Sequence, residues 1–163
     1  MRPLTSGEAA MIGEAMPGPL PLAAVRLIDG SDDNPLPRAA FHNGNTAITL
    51  RRTIYFRLHY HDDFAEADPH SRGLFLHEMT HVWQYARLGL PRFGLRYFRD
   101  LCACRFSARA MYHYEPGEAR FAAARLEAQA QMVGDYSEAT IRRDEARARL
   151  LERSLAGSGF YGL

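Results

Sequence analysis

The sequence predicts an α+β fold in which a small antiparallel sheet packs on one long helix, followed by a second long helix and a C-terminal helix. Two observations carry this prediction. Short β-branched segments occur up to residue 57, whereas apolar side chains beyond residue 68 recur at helical spacing. No repeat or linker divides the 163 residues, so we expect one domain over 1–163, with a flexible glycine-rich tail at about 157–163.

The first part of the chain predicts one short helix and then strands. Thr5 to Glu8 has the pattern of a capping box, which indicates a helix from residue 5 to about 16. The β-branched segment 24–28 predicts a strand. Segments 46–50 and 53–57, joined by Arg51-Arg52, predict either two strands or one bent strand. The runs 29–37 and 41–45 are rich in turn-forming residues, so turns are expected there.

A helix is expected from residue 68 to 89. Asp68 is a favourable N-cap, Pro69 suits the first helical position, and Gly89 followed by Pro91 predicts the end of the helix. Its apolar side chains lie on more than one side, which is typical of a helix packed deep inside a domain.

Residues 77–81 of this helix read His-Glu-Met-Thr-His, the HExxH pattern. Histidines four residues apart lie on one helical face about one turn from each other, so His77 and His81 can bind one metal ion. Glu78 projects at the flank of that face, where it can act as general base toward a water molecule. The bare motif is only moderately specific, and the buried, capped helix strengthens it.

After the motif we expect three further helices and a strand. The first helix runs from 95 to about 106, with the inward residues Leu95, Phe98, Leu101 and Cys102. Residues 110–114 alternate as in a strand, and a long helix follows from about 118 to 135. The last helix restarts at Tyr136 and ends at Leu155; its inward stripe consists of Ile141, Ala148, Leu151 and Leu155.

The composition excludes several classes of protein. A net charge of +1 without a basic, aromatic stripe argues against nucleic-acid binding. No apolar stretch of about 18 residues occurs, so no membrane partner is expected, and Glu8 and Glu14 interrupt any N-terminal signal sequence. Cys102 and Cys104 are too close for an easy disulfide. We expect synthesis in the cytoplasm, with export without a cleaved signal peptide as the alternative.

A catalytic zinc ion needs a third protein ligand. The metzincin class is excluded because Gln84 and Arg87 stand where that class has Gly and His. A carboxylate on a later helix is the gluzincin alternative, and the candidates are Glu115, Glu118, Glu127 and Glu138. Glu127 is favoured because small residues at helical spacing would let its helix approach the histidines closely; these are Ala123, Ala124, Ala130 and Gly134.

Three supporting roles follow from this arrangement. Gln131, one turn after Glu127, could hydrogen-bond a liganding imidazole. The developing oxyanion needs a donor, for which the sequence offers Tyr112, His113, Tyr114 and Tyr136 without choosing among them. The strand at 53–57 could bind a peptide as an added strand if it borders the cleft. His59 and His61 are expected in a solvated loop, with a second ion site as the alternative.

Several segments together resemble a known family. They are LTSGEAA, TAITLRRTIYF, DDF at 62–64, LFLHEMTHVWQ, YHYEPGEARF and LEAQAQMVGDY, and they extend from about Leu4 to Tyr136. In this order they resemble the small zinc-peptidase-like domains found with bacterial contractile injection systems, the eCIS core and Vgr-related metallopeptidase group. The resemblance implies a minimal gluzincin-like, zincin-type fold with His77, His81 and Glu127 on one zinc ion and Glu78 as general base.

The sequence therefore predicts a zinc-dependent metallopeptidase that acts on a peptide or protein and has a secretion apparatus as a further partner. The alternative from another class is a module of a bacterial secretion or contractile injection system that keeps zinc for stability or docking. Glu78 favours the enzyme, because a structural zinc site does not need that residue. A toxin effector delivered to other cells would use the same chemistry.

Overall fold

The computed structural model describes residues 1–163 and has an α+β fold with six α-helices and one three-stranded sheet. In chain order the elements are α1 (Ser6–Ala15), β1 (Arg26–Asp29), α2 (Pro35–His42), β2 (Ala47–Leu50), β3 (Thr53–Phe56), α3 (Pro69–Ala103), α4 (Ala108–Tyr112), α5 (Leu126–Ile141) and α6 (Glu145–Leu155). None of these helices has both the length and the apolar character that crossing a bilayer requires.

The sheet is mixed, with strand order β1–β3–β2. Of the two arrangements expected for residues 46–57, the structure has two strands: β2 and β3 form an antiparallel hairpin, and Arg51 in its two-residue turn has a positive φ of 59°. β1 pairs with β3 in parallel, so the prediction of an antiparallel sheet is wrong. The reason is that α2 separates β1 from the hairpin. β1 therefore pairs with β3 and not with β2, and β2 lies at the edge of the sheet.

Two short helices differ from the sequence-based expectation. α2 replaces a predicted turn, although its start signal is present: Asn34 accepts a hydrogen bond from the amide of Leu36, and Pro35 occupies the first turn. α4 replaces a predicted strand and is capped by Ser107, whose side chain accepts from the amide of Ala110. In both segments an N-cap side chain supports a helix where the sequence pattern indicated a turn or a strand.

α3 lies between the sheet and α5 and buries both of its sides. Phe75 and Met79 are completely buried in the main core, and the opposite side carries the histidines of the motif. The helix kinks at Gly89, which has φ 70° and ψ 162°, and then resumes through Ala103. The sequence predicted an end at Gly89, and the glycine does interrupt the helical backbone there.

In the part of α3 beyond the kink, the buried and exposed sides are the reverse of the prediction. Leu95 and Phe98, expected inside, are 72% and 60% exposed, whereas Phe93 and Asp100 are buried. Asp100 is buried because its carboxylate accepts a hydrogen bond of 3.1 Å from the backbone amide of Leu126. A buried aspartate that caps a distant helix cannot be recognised from hydrophobic spacing.

That hydrogen bond also explains where α5 begins. Residue 125, its N-cap, makes no side-chain capping bond, so Asp100 satisfies a free amide of the first turn from outside. The predicted start at 118 is wrong, and Phe121 lies in a separate short turn. The tail predicted as flexible is packed instead: Phe160 is fully buried, with its ring centroid 5.0 Å from those of Trp83 and Phe121.

α3 and α5 approach most closely at a pair of glycines. A Cβ atom added to Gly134 would lie 2.6 Å from the carbonyl oxygen of Gly73, and one added to Gly73 would lie 2.9 Å from the carbonyl oxygen of Gly134. Only glycine fits at either position. The prediction that Gly134 permits close helix packing is thus confirmed, and this contact lies one turn from His77, the first histidine of the motif.

We predict that Gly134→Ala destabilises the fold by about 1–3 kcal/mol, because the added methyl group must push two backbones apart. Thermal unfolding of the purified variant measures this loss. Gly13→Ala is the matched control: Gly13 is also helical but has nothing within 4 Å of the added atom, so it should be neutral or stabilising by up to about 1 kcal/mol. Equal destabilisation by both substitutions would contradict the account.

Candidate metal centre

Three of the predicted site residues converge between α3 and α5. The Nε2 atoms of His77 and His81 lie 3.4 Å and 3.1 Å from the same carboxylate oxygen, Oε2 of Glu127. One ligand atom from each residue lies within 4.8 Å of the other two. All three residues are only 6% exposed, so three polar groups share a nearly dry pocket. His77, His81 and Glu127 are close enough together to bind one metal ion.

Two of the three distances between the ligand atoms suit a tetrahedral ion. Zinc binds imidazole nitrogen and carboxylate oxygen at about 2.0–2.2 Å, which places neighbouring ligand atoms of a tetrahedral site about 3.3–3.5 Å apart. The two nitrogen to oxygen distances are close to that value. Two imidazoles and one carboxylate also leave a fourth position open, the arrangement of catalytic rather than structural zinc sites.

A chain of amide groups fixes the tautomer of His81. The side-chain NH₂ of Gln129 donates to the carbonyl of Phe121, so its oxygen is free to accept from the NH₂ of Gln84. That NH₂ also donates to the carbonyl of Leu126, which turns the oxygen of Gln84 toward Nδ1 of His81 at 2.8 Å. An amide oxygen only accepts, so Nδ1 must carry the hydrogen.

The consequence is that neutral His81 directs a lone pair at Glu127. Nε2 has no hydrogen in this tautomer, and the carboxylate oxygen 3.1 Å away is an acceptor as well. Two buried acceptors in contact repel each other unless a cation stands between them. Either a proton on Nε2 or a metal ion satisfies both atoms, and this requirement is the strongest structural indication of a cation at the site.

The pKa values of His81 and Glu127 in the metal-free protein are set by burial and by the charge that each residue presents to the other. Burial alone would lower the pKa of His81, but the negative charge of Glu127 and its hydrogen bond outweigh burial and raise that pKa to about 9. Burial would likewise raise the pKa of Glu127, yet the charge of His81 and the two imidazole contacts hold it well below its usual range. Without metal, the pocket is therefore an imidazolium and carboxylate pair.

Glu78 lies beside this centre and is held by the sheet. Its side chain is 4% exposed, and the hydroxyl of Thr49 donates to Oε2 of Glu78 at 2.7 Å. Thr49 belongs to β2, so the edge strand of the sheet orients the carboxylate. The bond from Thr49 involves Oε2, and the other oxygen of Glu78, Oε1, accepts no hydrogen bond from the protein.

Two cavities meet at Glu78 and Tyr112. One has a volume of about 440 Å³ and is mostly polar, with His77, Asn45 and Asp135 in its lining. The other has a volume of about 410 Å³ and is mostly apolar; its lining includes Ile48, Leu50, Tyr85, Leu90, Phe93 and Tyr97. Ala47 of β2 lines both cavities. The edge strand therefore runs along a continuous cleft that passes the three ligand candidates.

Among the four predicted oxyanion donors, only Tyr112 lines this cleft. Its ring stacks on that of His77 with centroids 5.7 Å apart. Burial, and then the charges of Glu127 and Glu78, raise the pKa of Tyr112 above its ordinary value, so the phenol keeps its proton. The other three have separate partners: His113 pairs with Glu115, Tyr114 donates to Asp135, and Tyr136 donates to Glu152.

The remaining candidates lie elsewhere. Gln131 does not form a hydrogen bond with an imidazole, because its NH₂ donates to Asp135 at 2.8 Å; Gln84 makes that contact instead.

Among the rival carboxylates, Glu138 pairs with His70 and Arg142. Ala123 and Ala124 precede α5, so they are not on its face. Glu127 itself lies in the first turn of α5, where exposed backbone amides favour a carboxylate.

Three residues of the site were not found from the sequence. Thr49 looked like an ordinary strand threonine, and only the packing of β2 on α3 brings it to Glu78. Gln129 lies 45 positions after Gln84, the residue whose NH₂ it accepts a hydrogen bond from, so no local pattern connects the two. Gln84 had a local signal, because it lies three residues after His81 on the same helical face, where side chains can meet.

Comparisons with known proteins link this fold to one effector domain. No protein family model matches the chain, and no curated protein matches it. The chain is similar to the solved effector domain of Pseudomonas aeruginosa VgrG2b, with a TM-score of 0.66 and 25% sequence identity. The similarity covers 96% of this chain and 82% of that domain. It supports the Vgr-related part of the resemblance found in the sequence.

We predict that metal-free protein loses stability as the pH rises from about 6.5 to about 9. The folded-state pKa of His81 is raised above its ordinary 6.5, so its contribution is complete below pH 6.5 and disappears as the pH passes 9. Melting temperatures at a series of pH values, with chelator present, measure this. Glu127→Gln removes the charge that raises the pKa and should lack the dependence; identical profiles would refute this explanation.

We also predict that Gln84→Leu weakens metal binding about 10–100-fold, because His81 loses the acceptor that fixes its tautomer and orientation. Competition with a chelator of known affinity measures the loss, and circular dichroism checks that the variant is folded. Gln131→Ala is the control and should bind metal like the parent, since Gln131 contacts Asp135 and not an imidazole. The prediction is wrong if the two variants lose affinity equally.

Proposed function

We propose that this protein is a zinc-dependent metallopeptidase of the gluzincin arrangement. The observation that carries the proposal is the placement of Glu78. It lies next to the convergent His77, His81 and Glu127, and it is held by Thr49 at the meeting point of two cavities. A general base beside an open metal position in a cleft is the constellation that metal-assisted peptide hydrolysis requires.

Zinc is the ion that this set of donor atoms favours. Two imidazoles and one carboxylate suit a tetrahedral ion of borderline softness, whereas magnesium and calcium prefer sites made of oxygen atoms. His77, His81 and Glu127 would hold the ion. When bound, zinc supplies an electrophilic centre that polarises a carbonyl group and lowers the pKa of water toward about 7.

The protein side chains then divide the chemistry. Glu78 accepts the proton of the attacking water on the oxygen that Thr49 leaves free, and it later delivers that proton to the leaving amine. Tyr112 keeps its phenolic proton and can donate a hydrogen bond to the oxyanion that develops on the scissile carbonyl. Gln84 holds His81 in its liganding tautomer throughout.

The peptide would bind along β2. The strand predicted for this role, at 53–57, is β3, which is paired on both sides and has no free edge. β2 is the edge strand and lines the cleft, so an extended peptide can add to it through main-chain hydrogen bonds. On one side of Glu78 the peptide meets the polar cavity, and on the other side it meets the apolar one.

The similarity to the VgrG2b effector domain suggests the setting of this activity. We propose that the chain acts as an effector domain associated with a Vgr-type secretion apparatus. The rival function is a metal-containing docking module of the same apparatus without catalysis. The bond from Thr49 to Glu78 favours the enzyme, because a module that needs only a bound ion has no use for an oriented carboxylate outside the three ligands.

We predict that Glu78→Gln keeps the fold and the metal but lowers hydrolysis of an unstructured protein by about 10²–10⁴-fold, because the amide cannot accept the proton. Metal content and turnover are measured on the same preparation. His77→Ala and Glu127→Ala should instead lose metal, whereas Glu118→Ala should keep both metal and activity, since Glu118 is exposed and lies outside both cavities. Full activity of Glu78→Gln, or loss of its metal, would show that the role given to Glu78 is wrong.

A further inference from the structure

The part of α3 beyond Gly89 carries an unusual surface. Of the eight large hydrophobic side chains that are exposed in this chain, four lie between residues 90 and 106: Leu90, Leu95, Phe98 and Phe106, which are 54%, 72%, 60% and 68% exposed. Leu95 and Phe98 occupy one side of the helix, opposite the buried Phe93 and Asp100. We call the surface formed by Leu95, Phe98 and Phe106 with the neighbouring arginines the α3 ridge.

The end of the ridge is held in a strained backbone conformation. Arg105 and Phe106 are consecutive residues with positive φ angles of 51° and 62°, a conformation that side chains other than glycine rarely adopt. The two residues follow the C-cap of α3, and the side chain of Phe106 is presented to solvent instead of folding back on the protein. The exposed ring of Phe106 thus directly follows the end of the helix that carries Leu95 and Phe98.

The ridge is also strongly basic, although the whole chain has a net charge of only +1. Residues 87–109 contain one acidic residue, the buried Asp100, and six arginines: Arg87, Arg92, Arg96, Arg99, Arg105 and Arg109. Arg87 lies over the ring of Trp83 and Arg96 donates to the carbonyl of Ala124, so the remaining four arginines belong to the ridge. Arg92 lies three residues before Leu95 and Arg99 four residues after it, so both flank the apolar side chains. Arg92, Arg105 and Arg109 take part in none of the salt bridges of the structure.

We propose that the α3 ridge binds the surface of an anionic phospholipid bilayer. Apolar side chains that protrude singly and are flanked by arginines match the layering of such a surface, where acyl chains lie below negatively charged headgroups. The partner must offer negative charges to the guanidinium groups without a salt bridge. It must also offer an apolar layer beneath those charges, into which Leu95, Phe98 and Phe106 can insert. The expectation of no membrane partner rested on the missing apolar stretch, which is a criterion for spanning helices only.

The α3 ridge and the apolar cavity of the cleft lie on two sides of the same helical segment. The same stretch of α3 that presents Leu95 and Phe98 to solvent lines the apolar cavity of the cleft with Leu90, Phe93 and Tyr97. A bilayer bound to the ridge would therefore lie on the far side of the helix that forms one wall of the cleft. The proposal is independent of the proposed peptidase activity, because it requires neither metal nor substrate.

Sedimentation of the full chain with vesicles tests the proposal. Vesicles of phosphatidylcholine alone are compared with vesicles that also contain an equal part of phosphatidylglycerol. We expect the parent to pellet with the anionic vesicles only. The double variants Leu95→Ser/Phe98→Ser and Arg92→Gln/Arg105→Gln should each bind at least about tenfold more weakly, the second because each arginine near a charged surface contributes attraction.

Leu36→Ser/Leu58→Ser is the matched control, since these leucines are 62% and 51% exposed but lie outside the ridge. It should bind vesicles like the parent, and thermal melts verify that every variant is folded. The proposal is overturned if the parent stays in solution with anionic vesicles, or if the control loses as much binding as the ridge variants. It is also overturned if the parent self-associates in ultracentrifugation and Leu95→Ser/Phe98→Ser abolishes this, because the ridge would then contact a second copy.

Discussion

The close crossing of α3 and α5 is the constraint on which the candidate site depends. Gly73 and Gly134 let the two backbones touch, and only this approach brings a carboxylate of α5 within 3.1–3.4 Å of two imidazoles on α3. Asp100 fixes the position of Glu127 along α5, because its carboxylate caps the first turn of that helix, in which Glu127 lies. Helix spacing and helix start together define the site.

Burying three polar groups in one pocket is costly, and the surrounding structure is organised to offset that cost. The chain of amides through Gln129 and Gln84 gives His81 a single tautomer, whose remaining nitrogen opposes the carboxylate of Glu127. The pocket is thus incomplete without a positive charge. On the other side the hydroxyl of Thr49 donates to Glu78, the proposed general base, which lies outside the set of three ligand candidates.

How much the sequence could predict depended on the range of the interactions. The capped helix with its HExxH motif, the β2–β3 hairpin and the choice of Glu127 all follow from local patterns or from small residues at helical spacing. The parallel pairing of β1, the burial of Asp100 and the contact of Thr49 with Glu78 depend on residues far apart in the chain, and no local pattern encodes them. Glu127 lies beside both histidines, as expected, yet the helix around it begins eight residues later than predicted.

X-ray absorption at the zinc edge, combined with elemental analysis of the purified protein, tests the central claim most directly. The account predicts one zinc ion per chain, coordinated by two imidazole nitrogens and one carboxylate oxygen at about 2.0–2.2 Å, with an exchangeable oxygen in the fourth position. It also predicts that this spectrum is lost in Glu127→Ala. A protein that stays free of zinc after reconstitution, or a sulfur ligand in the spectrum, would contradict it.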